Sequence, residues 1–388
     1  MQVEAKYIPD LSWTESGLPQ KERTKHVHGI HPYLGKYIPQ LVDYFLERYF
    51  EKDDCILDPF VGSGTTLIEA NAHSMDSIGI DVSEFNIILC KVKTMRYDLK
   101  LLKREFNDIV SKVKRSVQRN DVEEKLDRYL EDNPIAESRS DVNIAEASEY
   151  LKTWYHPVAL YPLLVFRDLI KDYHYKDALK VLLSRTARSS RLAPHYELDF
   201  PRKPFTQDYW CYKHARTCHP TTNALGFLER YSVDTYLRIA EFDKIRTENK
   251  VKLIHGDSRE VDYPKFDGVI TSPPYVGLID YHEQHRYAYE LLGLKDKSSH
   301  EIGAKRNKTG KKAVEEYRRS ISRVISKIAE MSTRSQIIFV VNDKFDLYES
   351  ICDDAGVKIT ERFQRKVDRR TGRRSSGDFH EDIIIMRG

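Results

Sequence analysis

The sequence predicts an α/β fold: a mostly parallel sheet with one antiparallel C-terminal strand, interrupted by a large, mostly helical insertion. Three observations carry this. Short apolar runs ending in turn formers alternate with amphipathic stretches over residues 55–97, the rhythm of strands buried between helices. The same rhythm returns from residue 252. Between the two, residues 99–250 are dominated by helical periodicity.

Residues 1–39 are irregular, with turn formers around His28-Gly-Ile-His-Pro-Tyr33, and residues 40–50 space their apolar side chains as a helix does. Cys55-Ile-Leu-Asp58 suits a buried strand, residues 65–73 the helix after it, Ser77-Ile-Gly-Ile-Asp81 a second strand and residues 84–97 a second helix. A charged helix is predicted over 99–131, a polar stretch over 133–143, helices over 149–173 and 175–190, and another over 231–246. Residues 191–222 are aromatic, proline-containing and basic, with little periodicity. Lys252-Leu-Ile-His255 and Phe266-Asp-Gly-Val-Ile-Thr271 read as strands, residues 314–331 as a helix and Gln336-Ile-Ile-Phe-Val-Val341 as a strand. Residues 358–367 and 382–386 read as a closing antiparallel pair. The chain thus divides into 1–98, holding an N-terminal segment and the first half of the sheet domain, an insertion over 99–250, and the second half over 251–388.

Composition narrows the class. With 32% charged and 40% hydrophobic residues, the chain reads as soluble and globular. No apolar run approaches the ~20 residues that span a bilayer. The N-terminus lacks a basic region followed by an apolar stretch, so no leader and no membrane partner are expected. Cys55, Cys90, Cys211, Cys218 and Cys352 are scattered and odd in number, which speaks against a disulfide framework and for a reducing compartment. Cys211 and Cys218 have His214 and His219 nearby, but no C-x2-C pair is present and aromatic residues surround them, so no metal site is expected. The net charge of +3 is too small to identify a partner. Its distribution is more telling: basic clusters at Arg185, Arg188 and Arg191, over residues 305–312 and over residues 366–374 suit a phosphate backbone.

Two turns carry candidate chemistry. Asp58-Pro-Phe-Val-Gly-Ser-Gly-Thr-Thr66 lies where the first strand meets its helix, and Gly62 and Gly64 permit a tight turn and close approach to a ligand. Ligands of open α/β sheets bind at such strand ends, and a carboxylate at the end of the next strand, Asp81, can accept from both hydroxyls of a ribose. A phosphate-binding P-loop is excluded because no Lys follows Gly64. The dinucleotide fingerprint fails because Leu67 stands at its third glycine. Asp58 would repel a pyrophosphate but suits a cationic sulfonium with a free amino group. The second turn, Thr271-Ser-Pro-Pro-Tyr275, follows a strand. Its two prolines stiffen the backbone and remove two N–H donors, leaving carbonyls and the Ser272 hydroxyl as fixed acceptors. A planar aromatic amine donating there is drawn out of conjugation, its lone pair turned toward an electrophile, while Tyr275 can stack on the ring.

Together these segments resemble the DNA amino-methyltransferases, which carry D-P-F-x-G-S-G-T-T for S-adenosylmethionine and [DNS]-P-P-[YFW] for the target amine. The Thr-Ser-Pro-Pro-Tyr form resembles the N4-cytosine branch, since adenine enzymes more often begin the motif with Asp. The resemblance covers residues 26–98 and 251–388 and only weakly the insertion. It implies a Rossmann-like S-adenosylmethionine-dependent methyltransferase sheet and transfer of a methyl group to cytosine N4 of double-stranded DNA, with the base flipped out. Residue by residue it implies that Asp58 and Phe60, Val61, Gly62, Ser63, Gly64, Thr65 and Thr66 contact the methionine part of the cofactor. Asp81 would hold the ribose, and Asp257 would approach the adenine. His31, Tyr33 and Lys36 would belong to an N-terminal segment closing over the methionine end. Ser272, Pro273, Pro274 and Tyr275 would hold the target base. The resemblance also implies a prokaryotic, cytoplasmic protein of a restriction–modification system, with a cognate endonuclease as partner. Adenine-N6 methylation, RNA base amino-methylation and a non-catalytic nucleic-acid-binding role are the alternatives.

The insertion is the expected target-recognition region. Arg185, Arg188 and Arg191, three apart on a helix, share one face, and residues 199–212 interleave bases with aromatics, as suits phosphate contact and stacking. Lys311 in a basic loop, and Arg370 and Arg373 at a hairpin tip, are further expected phosphate contacts. In Asp280-Tyr-His-Glu-Gln-His-Arg286, the His and Glu side chains are candidates for the target pocket and Asp280 for a helix cap.

Overall fold

Among the described residues nine strands arise where the sequence concentrates β-branched and aromatic residues: β1 (Cys55–Asp58), β2 (Asp76–Asp81), β3 (Tyr209–Cys211), β4 (Arg216–Cys218), β5 (Val251–His255), β6 (Gly268–Thr271), β7 (Ile337–Val341), β8 (Lys358–Lys366) and β9 (His380–Arg387). The structure is a computed structural model that describes residues 11–14, 16–130, 143–307, 309–331, 336–367 and 379–387, with backbone alone over 119–130. Seven of these strands form one sheet in the order β5-β2-β1-β6-β7-β9-β8. From β5 to β7 neighbours pair in parallel, while β9 pairs antiparallel with both β7 and β8. The chain leaves β1 toward β2 and later re-enters on the other side of β1 with β6, so strand order reverses between β1 and β6. A crevice opens at the carboxyl ends of strands at such a reversal.

The period of two along the strands sorts side chains onto two buried faces. In β7, Ile338 and Val340 pack with Ile56, Ile270 and the Leu41, Val42, Phe45 and Leu46 stripe of helix Pro39–Tyr49. On the opposite face Ile337, Phe339 and Val341 pack with Ile321, Val324, Ile325 and Ile328 of helix Lys311–Met331. Burying a side chain of this size contributes about 1.5–3 kcal/mol, and both faces are covered, as a parallel sheet requires.

The insertion, with helices Leu99–Leu130, Glu149–Trp154, Pro157–Leu169, Lys176–Ser190 and Leu225–Asp243, occupies the crossover from β2 to β5. Its helices do not build a core of their own. Phe106, Ile109, Leu163, Phe166, Leu179 and Leu182 belong to the cluster that holds Phe85, Leu89 and Val92 of helix Glu84–Thr94 and Tyr287 and Leu291 of helix Arg286–Leu292.

Local details depart from the sequence expectation for identifiable reasons. The helix expected over 149–173 is broken at His156, which is extended (ψ 140) because Pro157 disfavours a helical residue before it. The stretch 191–222, expected to be irregular, contains the β3–β4 hairpin, whose three-residue strands are too short to register as alternation. Helices Arg286–Leu292 and Tyr348–Ala355 were hidden among polar residues and are stabilised by packing. Among the described residues no helix is long and apolar enough to cross a membrane.

Candidate active site

The turn after β1 owes its shape to two glycines. Gly62 (φ 47) and Gly64 (φ 82) lie in the left-handed region, where a side chain is strained. An added Cβ would stand 3.1 Å from the Tyr33 hydroxyl at Gly62 and 3.0 Å from Cys90 Sγ at Gly64. Lys93, which the sequence reading missed, is buried and donates from Nζ to the Ser63 carbonyl at 2.6 Å. Burial pushes its ammonium well below the usual lysine range.

Asp58 is almost fully enclosed. Its carboxylate accepts from Thr66 Oγ1 at 2.5 Å, Thr271 Oγ1 at 2.6 Å, Phe60 N at 3.1 Å and the Tyr37 hydroxyl at 3.4 Å. Burial raises its pKa to about 6, against the pull of these hydrogen bonds. The expected contact of Asp58 with the methionine part of a cofactor is therefore corrected. Its acceptor positions are taken, and it stands behind the cavity wall rather than in it. Thr66 is buried beside it, donating to Asp58 with its oxygen against the Tyr37 hydroxyl, and Thr66 and Gly64 likewise do not line the cavity. The consequence for geometry is direct: Thr271 immediately precedes Ser272, so one carboxylate clamps the glycine turn to the Pro-Pro turn.

A cavity opens where these turns meet, lined by Phe60, Gly62, Ser63, Thr65, Ser272 and Pro274. Tyr33, Lys36, Asp81 and Asp257 line it as well. Asp81 accepts from Gly62 N (2.9 Å), Ser83 N (2.8 Å) and Asn86 Nδ2 (3.1 Å). Three bonds spread over two oxygens leave acceptor capacity facing the cavity. Burial pushes its carboxyl up to about 6 despite those donors. Asp257 is held by Arg259 at 2.6 Å.

Of the N-terminal segment, Tyr33 stacks 5.8 Å from Tyr281 and accepts from Asn86 Nδ2 at 3.1 Å. Lys36 donates to the His28 carbonyl at 2.8 Å, and burial lowers its ammonium to about 8. His31 does not line the cavity. It is buried against Phe85, His285 and Tyr287, with Nε2 3.1 Å from Ser184 Oγ, so its expected place in the cofactor site is corrected.

At the second turn, Pro273 is buried and the Tyr275 hydroxyl lies between Ser272 Oγ (3.4 Å) and Glu381 Oε1 (3.2 Å). Glu381 is in turn paired with the buried Arg365. Burial holds the Tyr275 phenol well above its ordinary pKa, so it stays protonated and can donate. Neither Glu381 nor Arg365 was identifiable from sequence, because β8 and β9 reach the platform only through sheet pairing. In the 280–286 stretch, Tyr281 lines the cavity, whereas His282 is buried and paired with Glu301 at 2.5 Å. Asp280 makes no side-chain cap bond to its helix and accepts from Arg306 N at 3.0 Å instead.

The expected arginine strip is also corrected. Arg185 pairs with Asp234 at 2.5 Å and stacks 4.2 Å over Tyr231, with only 13% of its side chain exposed. Arg188 pairs with Asp199, and Arg191 is buried over the Tyr287 ring and bonded to the Leu198 carbonyl. Arg185 and Arg188 stand on helix Lys176–Ser190 and Arg191 follows it in extended backbone, and the three are engaged by partners in the insertion and by Tyr287. Lys311 is exposed at the start of its helix, while Arg370 and Arg373 lie outside the described residues.

Comparison with known proteins follows the same lines. The model of a family described as DNA methylase matches residues 3–91. The chain is 37% identical to the Type II methyltransferase M.MjaII of Methanocaldococcus jannaschii over 95% of its own length and 82% of the relative's. It is 23% identical to the Type II methyltransferase M.BsoBI of Geobacillus stearothermophilus, over 78% of this chain and 60% of that one. Among solved structures, the rRNA methyltransferase aviRa from Streptomyces viridochromogenes aligns with a TM-score of 0.33 at 10% identity, covering 92% of this chain and 88% of that chain, a likeness too loose to bear on the site.

Proposed function

The chain belongs to the DNA amino-methyltransferase family, and on that premise we propose that it methylates the exocyclic N4 amino group of cytosine in double-stranded DNA. S-adenosylmethionine is the methyl donor of this family and fold, and it supplies an electrophilic methyl group on a sulfonium. The residues present fit such a ligand. Asp81 offers ribose hydroxyls an acceptor, Phe60 and the glycine turn offer a close apolar wall, and the cavity continues to Ser272 and Pro274. The observation that carries the reading is the Asp58 clamp on Thr66 and Thr271, because it holds donor turn and amine platform in one cavity.

The chain's own residues then do the following. Ser272 Oγ and the carbonyls of the Pro-Pro turn accept the two N–H bonds of the target amine, which turns its lone pair out of the ring. Tyr275, tethered to Glu381, fixes the position of Ser272. No strong base is required of the protein, since the amine becomes acidic as it is methylated, and positioning carries the rate. A base stacked in a duplex cannot enter this cavity, so it is everted at a cost of about a few kcal/mol. Ser in the first position of the platform motif supports cytosine over adenine. The relatives' Type II names support a place beside a restriction endonuclease that cuts the same site.

The test is incubation with labelled S-adenosylmethionine and duplex DNA, digestion to nucleosides and mass spectrometry. N4-methyldeoxycytidine is expected. N6-methyldeoxyadenosine would transfer the assignment to adenine, and unlabelled DNA would refute the activity. Ser272→Ala is expected to lower turnover by about 10–100-fold, the loss of a hydrogen bond that strengthens in the transition state, with cofactor affinity little changed.

A further inference from the structure

We propose that His195, Cys211, His214 and Cys218 form a tetrahedral zinc site that clips the β3–β4 hairpin to the segment before it. Their ligand atoms all lie within 4.8 Å of one another. Cys211 Sγ is 3.5 Å from His214 Nδ1 and 3.9 Å from His195 Nδ1, and His214 Nδ1 is 3.4 Å from Cys218 Sγ. Zinc–sulfur bonds of about 2.3 Å and zinc–nitrogen bonds of about 2.0–2.1 Å, set at tetrahedral angles, put sulfur and nitrogen about 3.6 Å apart. Two thiolates and two imidazoles are the donor set that selects this metal and closes its coordination shell, which makes the site structural. On the hairpin the spacing is Cys-x2-His-x3-Cys, and the fourth ligand, His195, comes from the preceding segment, tied by its backbone N–H to the Tyr209 hydroxyl at 3.1 Å. His219, nearer in sequence, is turned to Asp208 at 2.5 Å.

The hairpin's poverty of core points the same way. Its strands have three residues each, and its buried cluster is Tyr209, Cys211 and Cys218, with Tyr196 and Phe205 half-buried against them. An isolated pair of strands this short is marginal in water, and small units that cannot bury enough apolar surface are held by a metal or cross-link. Two of the three buried side chains here are themselves metal-ligating thiols. Binding deprotonates both: zinc(II) and two thiols give the zinc dithiolate and two released protons. The clip would hold the exposed Trp210 and Tyr212 on a segment whose Phe200 lies 5.7 Å from Lys305 Nζ, just after Glu301 and Ile302 of the cavity wall.

The experiment uses the full chain, expressed with zinc and purified in reducing buffer without chelator. Elemental analysis is expected to find about one zinc per chain. Replacement by cobalt(II) is expected to give the visible bands of a tetrahedral site with a thiolate charge-transfer band. Cys211→Ser and Cys218→Ser should each abolish stoichiometric metal, while His219→Ala should retain it. A serine variant that unfolds the hairpin would lose metal trivially, so the unaltered chain decides. Absence of zinc together with a cobalt spectrum lacking tetrahedral bands overturns the proposal. So does an intact mass showing a Cys211–Cys218 disulfide, or full metal retention by both serine variants.

Discussion

Two carboxylates, the buried Asp58 and the half-buried Asp81 in the cavity wall, set the behaviour of the site at the scale of single residues. Asp81 is pushed up to about 6 by burial, and it must be ionised to accept from ribose hydroxyls without donating in return. Cofactor affinity is therefore expected to be flat above pH ~7 and to fall as pH drops through 6, reaching about a tenfold loss at pH 5, where roughly a tenth of the carboxyl remains ionised. Calorimetric titration of S-adenosylmethionine across that range checks this, and Asp81→Asn should bind weakly with the pH dependence removed. Asp58 has a different part. Because it bridges Phe60, Thr66 and Thr271, Asp58→Ala leaves the Thr271 hydroxyl without its acceptor and Thr66 with the Ile270 carbonyl, and is expected to cost about 1–3 kcal/mol in denaturant unfolding. Affinity and turnover should fall together in that variant, unlike the split expected for Ser272→Ala.

At the scale of elements, helix Lys176–Ser190 shows how a basic face can be spent internally. Arg185 is committed to Asp234 and Tyr231, so Arg185→Ala is expected to lower stability by about 1–3 kcal/mol. The slope of log affinity for DNA against log salt should stay unchanged, because no phosphate contact is lost. The β3–β4 hairpin is the converse case. Trp210 and Tyr212 are 53% and 76% exposed, and Tyr212 is followed by the exposed Lys213. Trp210→Ala and Tyr212→Ala are expected to weaken DNA binding, by about 1–3 kcal/mol if each stacks on a base, with melting temperature unaltered. Equal affinity of variant and parent for duplex DNA in a fluorescence titration would remove the hairpin from the interface.

At the scale of the whole molecule, the insertion shares one apolar cluster with the helices and N-terminal segment of the α/β domain, among them Ile30, Ile68, Phe85 and Leu291. Helix Leu225–Asp243 also reaches the N-terminal segment, where Arg238 donates to the Thr24 carbonyl at 2.9 Å and the His26 carbonyl at 3.2 Å. The expected outcome of chemical denaturation is a single transition, coincident by far-UV dichroism and by loss of cofactor binding. A chain lacking residues 99–250 should fail to fold, since it would expose Phe85, Leu89 and Val92. Two separated transitions would show that the insertion is an independent unit.

Much of the architecture was legible because it depends on local chemistry. β1 was readable to its exact ends, and the glycine turn and Pro-Pro turn announce themselves by residues that few other conformations require. Apolar runs ending in turn formers marked the strands of the sheet, while helices Arg286–Leu292 and Tyr348–Ala355 escaped because their periodicity is broken by polar residues. Partnership was not legible, because it joins residues far apart in the chain. Whether an arginine meets Asp234 or a phosphate, whether Asp58 faces a ligand or Thr271, and whether His195 or His219 approaches Cys211 are settled by packing over tens to hundreds of residues. The sequence by itself determined which chemistries were available and on which strand ends they stood. Only the tertiary structure decided which charges were already neutralised inside the protein, because a buried group must find its partner within the fold, and that partner can lie anywhere along the chain.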